Sequence, residues 1–141
     1  MSRFLLDTNI ISELIKPKPE AKLTGWVESA DEDLLYLSVL TVGEIGKGIA
    51  AMEQGRRSAA IQSWGETDLK PRFSGRVLPI DEATAARWGA ITGAAAAQGI
   101  TVPVVDGLLA ATALQHNLTL VTRNTKNLAG TNAPAFNPWD L

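Results

Sequence analysis

Three acidic residues and one amide stand where distant parts of this chain are expected to meet. Asp7 directly follows a short apolar run, Glu44 lies in the first turns of a helix, and Asp106 opens another helix. Asn124 follows a run typical of a strand at 118–122. In an open parallel sheet, ligands bind beyond the carboxyl ends of the strands. We therefore expect these four side chains to converge in one cleft.

The chemistry that such a cleft favours is metal binding through oxygen. Carboxylates gathered in one place repel one another unless a divalent cation is bound, and hard oxygen ligands suit Mg²⁺ or Mn²⁺. The chain has no Cys and a single His, His116. This composition excludes thiolate zinc sites and multi-histidine zinc sites.

Each acid also has a purely structural interpretation. Asp7 can cap the helix that follows it, as can either of the next two residues. Asp106 can complement the dipole of its helix, and Glu44 can pair with Lys47 close by on the same helix face. The residues alone leave these alternatives open.

The elements that must position these side chains alternate between strand and helix. The patterns predict strands at 4–6, 35–38, 77–80 and 118–122, with a last short strand within 135–141. They predict helices at 10–15, 20–29, 41–52, 59–64, 81–99 and 106–115. This alternation indicates an α/β fold with a parallel sheet flanked by helices on both faces, in a single domain over residues 1–141.

Composition narrows the classes of function only weakly. The 141 residues are 45% hydrophobic and carry a net charge of −2, so any contact with nucleic acid requires a local basic patch or a metal at an acidic site. No segment reaches the length of a membrane helix. We expect a cytoplasmic protein with no membrane partner.

Five sequence blocks together resemble one protein family. They are FLLDTN at 4–9, LTVGEI at 40–45, PVVDGLLAA at 103–111, LVTRNTKNL at 120–128 and FNPW at 136–139. They resemble the PIN-domain family, and in particular bacterial toxins of the VapC and FitB type. The resemblance covers the whole chain in order.

The resemblance implies a five-stranded parallel sheet and a metal-dependent endoribonuclease that is the toxin of a type II toxin–antitoxin pair. The implied reaction is hydrolysis of an RNA phosphodiester by water activated on Mg²⁺ or Mn²⁺. The acids implied as catalytic and metal-binding residues are Asp7, Glu44 and Asp106, with Glu44 either a ligand or an orienting base. The supporting polar residues are Thr8, Asn9, Thr122 and Asn124.

The same resemblance implies partners. A cognate antitoxin is expected to place a segment near the acidic cleft, where an arginine would pair with Asp7 or Asp106. A homodimer is expected to use the helical arm at 44–64. The basic residues expected to touch RNA phosphates are Lys47, Arg123 and Lys126.

The sequence leaves two alternatives to an active ribonuclease. The family often has an acid in the turn after the last long strand, where this chain has the neutral Asn124 and Asn127. One alternative is therefore a weak or inactive PIN module that binds antitoxin or RNA. The other is a phosphoacceptor signalling domain, which needs an Asp at the end of a middle strand. The strand that ends at Ser38 has none, which argues against it.

Overall fold

The computed structural model describes residues 2–141 and contains one parallel β-sheet. Every neighbouring pair of strands is parallel, and their spatial order is β3-β2-β1-β4-β5. The strands are β1 (Phe4–Leu6), β2 (Leu35–Ser38), β3 (Val77–Leu78), β4 (Thr119–Val121) and β5 (Ala135–Phe136). This arrangement confirms the predicted sheet. The strands β3 and β4 are shorter than the patterns indicate, and β5 lies within the predicted range 135–141.

Six of the seven helices agree with the predicted ones in position and differ at their ends, whereas the short α5 was not predicted. They are α1 (Thr8–Leu14), α2 (Ala21–Ser29), α3 (Val39–Ala51), α4 (Arg56–Trp64), α5 (Lys70–Arg72), α6 (Glu82–Ala97) and α7 (Val104–His116). Sequence patterns missed the π-helical turn Gly65–Leu69 that joins α4 to the single-turn α5. Leu69 and Phe73 are buried there, because the turn folds back onto the sheet. Across residues 2–141, no helix is both long and apolar enough to cross a membrane.

Side chains that alternate along the strands form two hydrophobic cores, one on each face of the sheet. Leu6 and Val121 belong to the core beneath α1 and α2, whereas Leu5 and Leu120 belong to the core beneath α7. Successive side chains of a strand point to opposite faces. The sheet is therefore covered by helices on both sides, as predicted.

Polar residues at the strand ends start the helices that follow. The side chain of Asp7 caps α1 by accepting a hydrogen bond from the Thr8 amide. Ser38 caps α3 by accepting a 3.0 Å hydrogen bond from the Leu40 amide. Side-chain caps of this kind satisfy amide groups left without partners at a helix N-terminus. The chain therefore turns sharply from β1 into α1 and from β2 into α3 at one edge of the sheet.

The helices α6 and α7 pack closely where α7 has a glycine. A Cβ atom on Gly107 would lie 3.1 Å from Trp88 Nε1 and 3.2 Å from Thr92 Cγ2. Gly107 is buried and directly follows Asp106. The absence of a side chain at this position thus lets α6 support the helix turn that carries Asp106.

Substitution of Gly107 by alanine should destabilise the protein although alanine favours helices. The added methyl group forces Trp88 or α7 to move, which costs about 1 to 3 kcal/mol in a packed interior. Gly89→Ala is the matched control because a Cβ at Gly89, also within a helix, meets nothing within 4 Å. That control should gain up to about 1 kcal/mol. Urea unfolding measures both, and equal effects of the two substitutions would contradict this packing.

Candidate active site

The acidic residues lie at the carboxyl end of the central strand, where the direction of the chain connections changes. From β1 the chain goes to β2 on one side, whereas β4 pairs with β1 on the other. Such a switch point forms a crevice beyond the strand ends, where α/β proteins bind ligands. Asp7 stands in this crevice, and its amide donates a 2.9 Å hydrogen bond to the Val121 carbonyl of β4.

Asp7 is buried and held on both carboxylate oxygens. Its Oδ1 accepts a 2.6 Å hydrogen bond from the Thr8 amide. Its Oδ2 accepts a 2.7 Å bond from Thr122 Oγ1 and a 3.3 Å bond from Asn9 Nδ2. Only 6% of the residue is exposed. The cap predicted as a structural alternative is present, and it uses only one of the two oxygens.

A threonine joins Glu44 to the same cleft. Thr8 Oγ1 donates to Glu44 Oε1 and also lies 3.1 Å from Thr41 Oγ1. Thr41 is fully buried, one helical turn before Glu44 on α3. The predicted ion pair between Glu44 and Lys47 does not occur among residues 2–141. Glu44 is therefore directed to the cleft by hydroxyl groups rather than by a cation.

Asp106 reaches the cleft from the first turn of α7. Its Oδ2 accepts a 3.3 Å hydrogen bond from Asn127 Nδ2 in the turn after β4. The position at a helix N-terminus also favours its negative charge. The third acid therefore comes from the opposite side of β1, through a segment far away in sequence.

The electrostatics of the cleft reflect crowded carboxylates. Burial raises the pKa of Asp7 above its ordinary value, hydrogen bonds from Thr122 and Thr8 lower it, and the charges of Asp106 and Glu44 raise it further. Burial likewise raises the pKa of Asp106, and Glu44 adds to this increase. The three acids therefore lie close enough to interact and are not neutralised by basic side chains.

This donor set fits a hard divalent cation. Carboxylate oxygens are its preferred ligands, and a cation removes the repulsion that raises the two pKa values. Asp7 and Asp106 would hold it, with Glu44 beside them. Within residues 2–141, no three acidic or histidine side chains are already gathered round a single point as ligands.

Comparison with known proteins decides the family. The family model of the PIN domain matches residues 4–131. This chain belongs to the PIN-domain family.

Within that family, the PIN domain is similar to bacterial toxins. It is 38% identical over 135 residues to "Toxin FitB" of Neisseria gonorrhoeae, covering 96% of this chain and 97% of that protein. It is 35% identical over 136 residues to "VapC ribonuclease Y4jK" of Sinorhizobium fredii, covering 96% and 97%.

Solved structures show the same architecture. The PIN domain matches the crystal structure of FitAcB from Neisseria gonorrhoeae with a TM-score of 0.94 and 38% identity, covering 98% of this chain and 99% of that one. It also matches a toxin–antitoxin complex from Klebsiella pneumoniae with a TM-score of 0.67 and 25% identity, covering 95% and 96%. The fold predicted from the sequence is thus confirmed.

The remaining residues predicted from the sequence occupy different places. Asn124 joins the network through its backbone, whose amide donates a 3.0 Å hydrogen bond to Thr122 Oγ1 and whose carbonyl accepts a 3.0 Å bond from the Asn127 amide. Lys47, Arg123 and Lys126 are exposed. Arg123 contacts the cleft through its backbone amide, which donates to Asn9 Oδ1 at 3.4 Å.

Two polar residues of the network are absent from the predicted site: Thr41, which contacts Thr8, and Asn127, which contacts Asp106. Thr41 shares a helix face with Glu44, a spacing that could have indicated it. Asn127 stands out in sequence only as a neutral residue in the turn, and no sequence signal shows that its amide reaches Asp106. The fold brings it there because α7 and β4 are neighbours.

Replacement of Thr122 by valine should lower the free energy of unfolding and raise the pKa of Asp7. Valine keeps the shape and removes the hydroxyl that donates to Asp7 Oδ2, which leaves a buried acceptor short of a partner at a cost of about 1 to 3 kcal/mol. Urea unfolding tests this, with Thr101→Val in an exposed segment as control. Equal unfolding midpoints for both variants would contradict the assigned role of Thr122.

Proposed function

We propose that this PIN domain is a divalent-cation-dependent endoribonuclease and the toxin of a type II toxin–antitoxin pair. The observation that carries the proposal is the buried Asp7, held on both oxygens beside two further acids at the sheet's switch point. Burying a carboxylate without a basic partner is costly, so such a group indicates function. The names of the two bacterial relatives support this assignment.

In the proposed reaction, the chain's own residues position the acids. Thr122 and Asn9 fix Asp7, Thr8 fixes Glu44, and Asn127 fixes Asp106. A divalent cation held by Asp7 and Asp106 would supply a water of lowered pKa and neutralise charge on the phosphodiester, as Mg²⁺ or Mn²⁺ does in hydrolases. These hydrogen bonds restrain each carboxylate in the cleft before substrate binds.

The neutral turn after β4 bears on how many cations bind. Asn127 gives Asp106 a hydrogen-bond donor where the resemblance implies an additional acid. Three carboxylates then remain, and they are sufficient to hold one ion. The proposal is accordingly an active enzyme with one main cation rather than an inactive binding module.

The proposed contacts with RNA and with other proteins lie around the cleft. Lys47, Arg123 and Lys126 are exposed cations available for phosphates of a single strand. An antitoxin is proposed to pair an arginine with Asp7 or Asp106, since this cleft has acids and no cation partner among residues 2–141. With an RNA substrate, we expect the protein to act in the cytoplasm.

A homodimer is proposed through the helical arm at 44–64. An apolar groove of about 330 Å³ runs beside this arm, lined by residues that include Ile45, Ile49 and Leu69. Ile49→Asp should shift the mass measured by light scattering from dimer to monomer. Ala51→Asp is the control, because Ala51 is exposed on the same helix and lies outside the groove. A monomeric wild type would refute the proposal.

The decisive test is cleavage of an end-labelled RNA pool by the purified protein. We expect cutting with Mg²⁺ or Mn²⁺ and none with chelator, and the cut sites will identify the preferred substrate. Folded, antitoxin-free protein that cuts no RNA under either metal would refute the nuclease and favour the binding module. Co-expression with the neighbouring small gene product tests the antitoxin, which should co-purify with the chain.

A further inference from the structure

A polar cavity adjoins the acidic cleft on the side of α1 and the carboxyl-terminal segment. Its volume is about 330 Å³, and its lining includes Asn9, Ser12, Glu13, Lys16, Arg123 and Trp139. Thr8, which holds Glu44, also lines it. The catalytic cleft and this cavity therefore share a wall, and the proposed function assigns no role to the cavity as a whole.

A single side chain connects the cavity to the buried acid. Asn9 Nδ2 lies 3.3 Å from Asp7 Oδ2, and Asn9 Oδ1 accepts a 3.4 Å hydrogen bond from the Arg123 amide. Asn9 Nδ2 also lies 3.3 Å from Thr122 Oγ1. The cavity thus begins one side-chain amide group away from the carboxylate proposed to hold the cation.

Arg123 is oriented in the cavity by an aromatic contact and by backbone hydrogen bonds. Its guanidinium carbon lies 5.0 Å from the ring centre of Trp139, a cation–π distance. Asn137 fixes this pair, since its Nδ2 donates to the Arg123 carbonyl at 3.4 Å and its Oδ1 accepts from the Trp139 amide at 2.9 Å. Within residues 2–141, no carboxylate forms an ion pair with Arg123.

The other charges of the cavity leave it positive. Glu13 is nearly buried and accepts hydrogen bonds from Lys16 Nζ at 2.8 Å and from the Glu20 amide at 3.0 Å. These contacts satisfy Glu13 within the protein. The lining therefore has two cations and one carboxylate, and Arg123 is the cation without a close ion pair among residues 2–141.

The geometry points to a nucleotide subsite in this cavity. It binds the nucleotide next to the scissile bond, with the phosphate on Arg123 and Lys16 and the base on the platform made by Arg123 and Trp139. Unpaired bases stack on aromatic rings and guanidinium planes, so the substrate class is single-stranded or looped RNA. This inference rests on the proposed ribonuclease function and identifies where its substrate strand leaves the cleft.

Nuclear magnetic resonance can locate the binding directly, without cleavage. The chain has four tryptophans, whose indole resonances report on four places. Titration with a short mixed-sequence RNA in chelator should shift the Trp139 indole signal, assigned with Trp139→Phe. The signal of Trp88, which packs against Gly107 between α6 and α7, should stay in place. An unmoved Trp139 signal at saturating RNA would overturn the subsite.

Kinetics and binding then separate the subsite from the nuclease. The double substitution of Lys16 and Arg123 by alanine should raise KM about tenfold with little change in kcat. The binding constant for RNA should also depend less steeply on salt. The slope of its logarithm against the logarithm of salt concentration should become shallower by about 0.7 for each phosphate that the variant no longer neutralises. Lys22→Ala with Arg87→Ala removes the same charge from exposed positions elsewhere and should change neither.

The outcomes distinguish the two proposals. Cleavage with an unchanged KM in the double variant would overturn the subsite and leave the nuclease standing. RNA binding that depends on Lys16 and Arg123 in a protein that never cuts would support the subsite and overturn the nuclease. Circular dichroism of the double variant confirms that it is folded before either comparison is made.

Discussion

Substitution of Asp7 by asparagine is expected to lower kcat for RNA cleavage by about a thousandfold or more. Asparagine keeps the size of the side chain but removes the charge that would hold the cation, and metal-ion stabilisation supplies several kcal/mol of the barrier reduction in such hydrolases. The measurement is single-turnover cleavage of a labelled RNA at saturating Mg²⁺ or Mn²⁺.

The control for Asp7 is Asp68→Asn, because Asp68 is exposed on the π-helical turn, outside the cleft. It should cleave at the wild-type rate. Asp7→Asn should also bind the cation more weakly in a calorimetric titration without RNA. Cleavage by Asp7→Asn at the wild-type rate would falsify the metal mechanism, whereas a loss of cleavage and cation binding in Asp68→Asn would indicate a general effect of charge.

Substitution of Asp106 by asparagine should have opposite effects on activity and on stability. Cleavage should fall to a similar degree, because Asp106 would share the cation with Asp7. The free energy of unfolding in chelator at neutral pH should instead rise by about 0.5 to 2 kcal/mol, since active sites commonly sacrifice stability for function. The amide can still accept the hydrogen bond from Asn127 Nδ2.

The pH dependence of this gain has a definite sign. Burial raises the pKa of Asp106 in the folded state above its ordinary value of 3.8, with the charge of Glu44 adding to the shift. The folded state therefore binds more protons than the unfolded state between the two pKa values, and stability falls as pH rises through that window. Below pH 3.8 the advantage of Asp106→Asn over the wild type should vanish.

A cation should reverse the order of stability. Binding to the folded state alone stabilises the wild type in proportion to the logarithm of the cation concentration, and the asparagine variant should respond less. Thermal unfolding of both proteins with and without Mn²⁺ measures this. A wild type that is more stable than Asp106→Asn in chelator at neutral pH would show that Asp106 has a structural partner instead.

Much of the site's composition was readable from sequence because strand ends and helix starts carry local signals. An acid directly after an apolar run marks the end of a buried strand, and this pattern predicts the position of Asp7. Glu44 and Asp106 similarly stand near helix starts. The parallel sheet is predicted from the alternation of elements, since parallel strands need a crossover connection, which is usually a helix.

The ends of elements and the network around the acids were less predictable. The strand predicted at 77–80 is only Val77–Leu78 because pairing depends on the neighbouring strand, which no local pattern describes. The π-helical turn Gly65–Leu69 likewise depends on burial of Leu69 and Phe73 against the sheet. Both are decided by contacts between segments far apart in sequence.

The sequence by itself determined the fold class, predicted the three acids of the candidate site and limited any metal site to oxygen ligands. Those conclusions need only residue types and local periodicity. The tertiary structure decided that Thr122 and Asn9 hold Asp7, that Asn127 reaches Asp106, and that Arg123 lies over Trp139 beside the cleft. These contacts join residues that are mostly distant along the chain, and a hydrogen bond depends on distances and angles that only the packed fold sets.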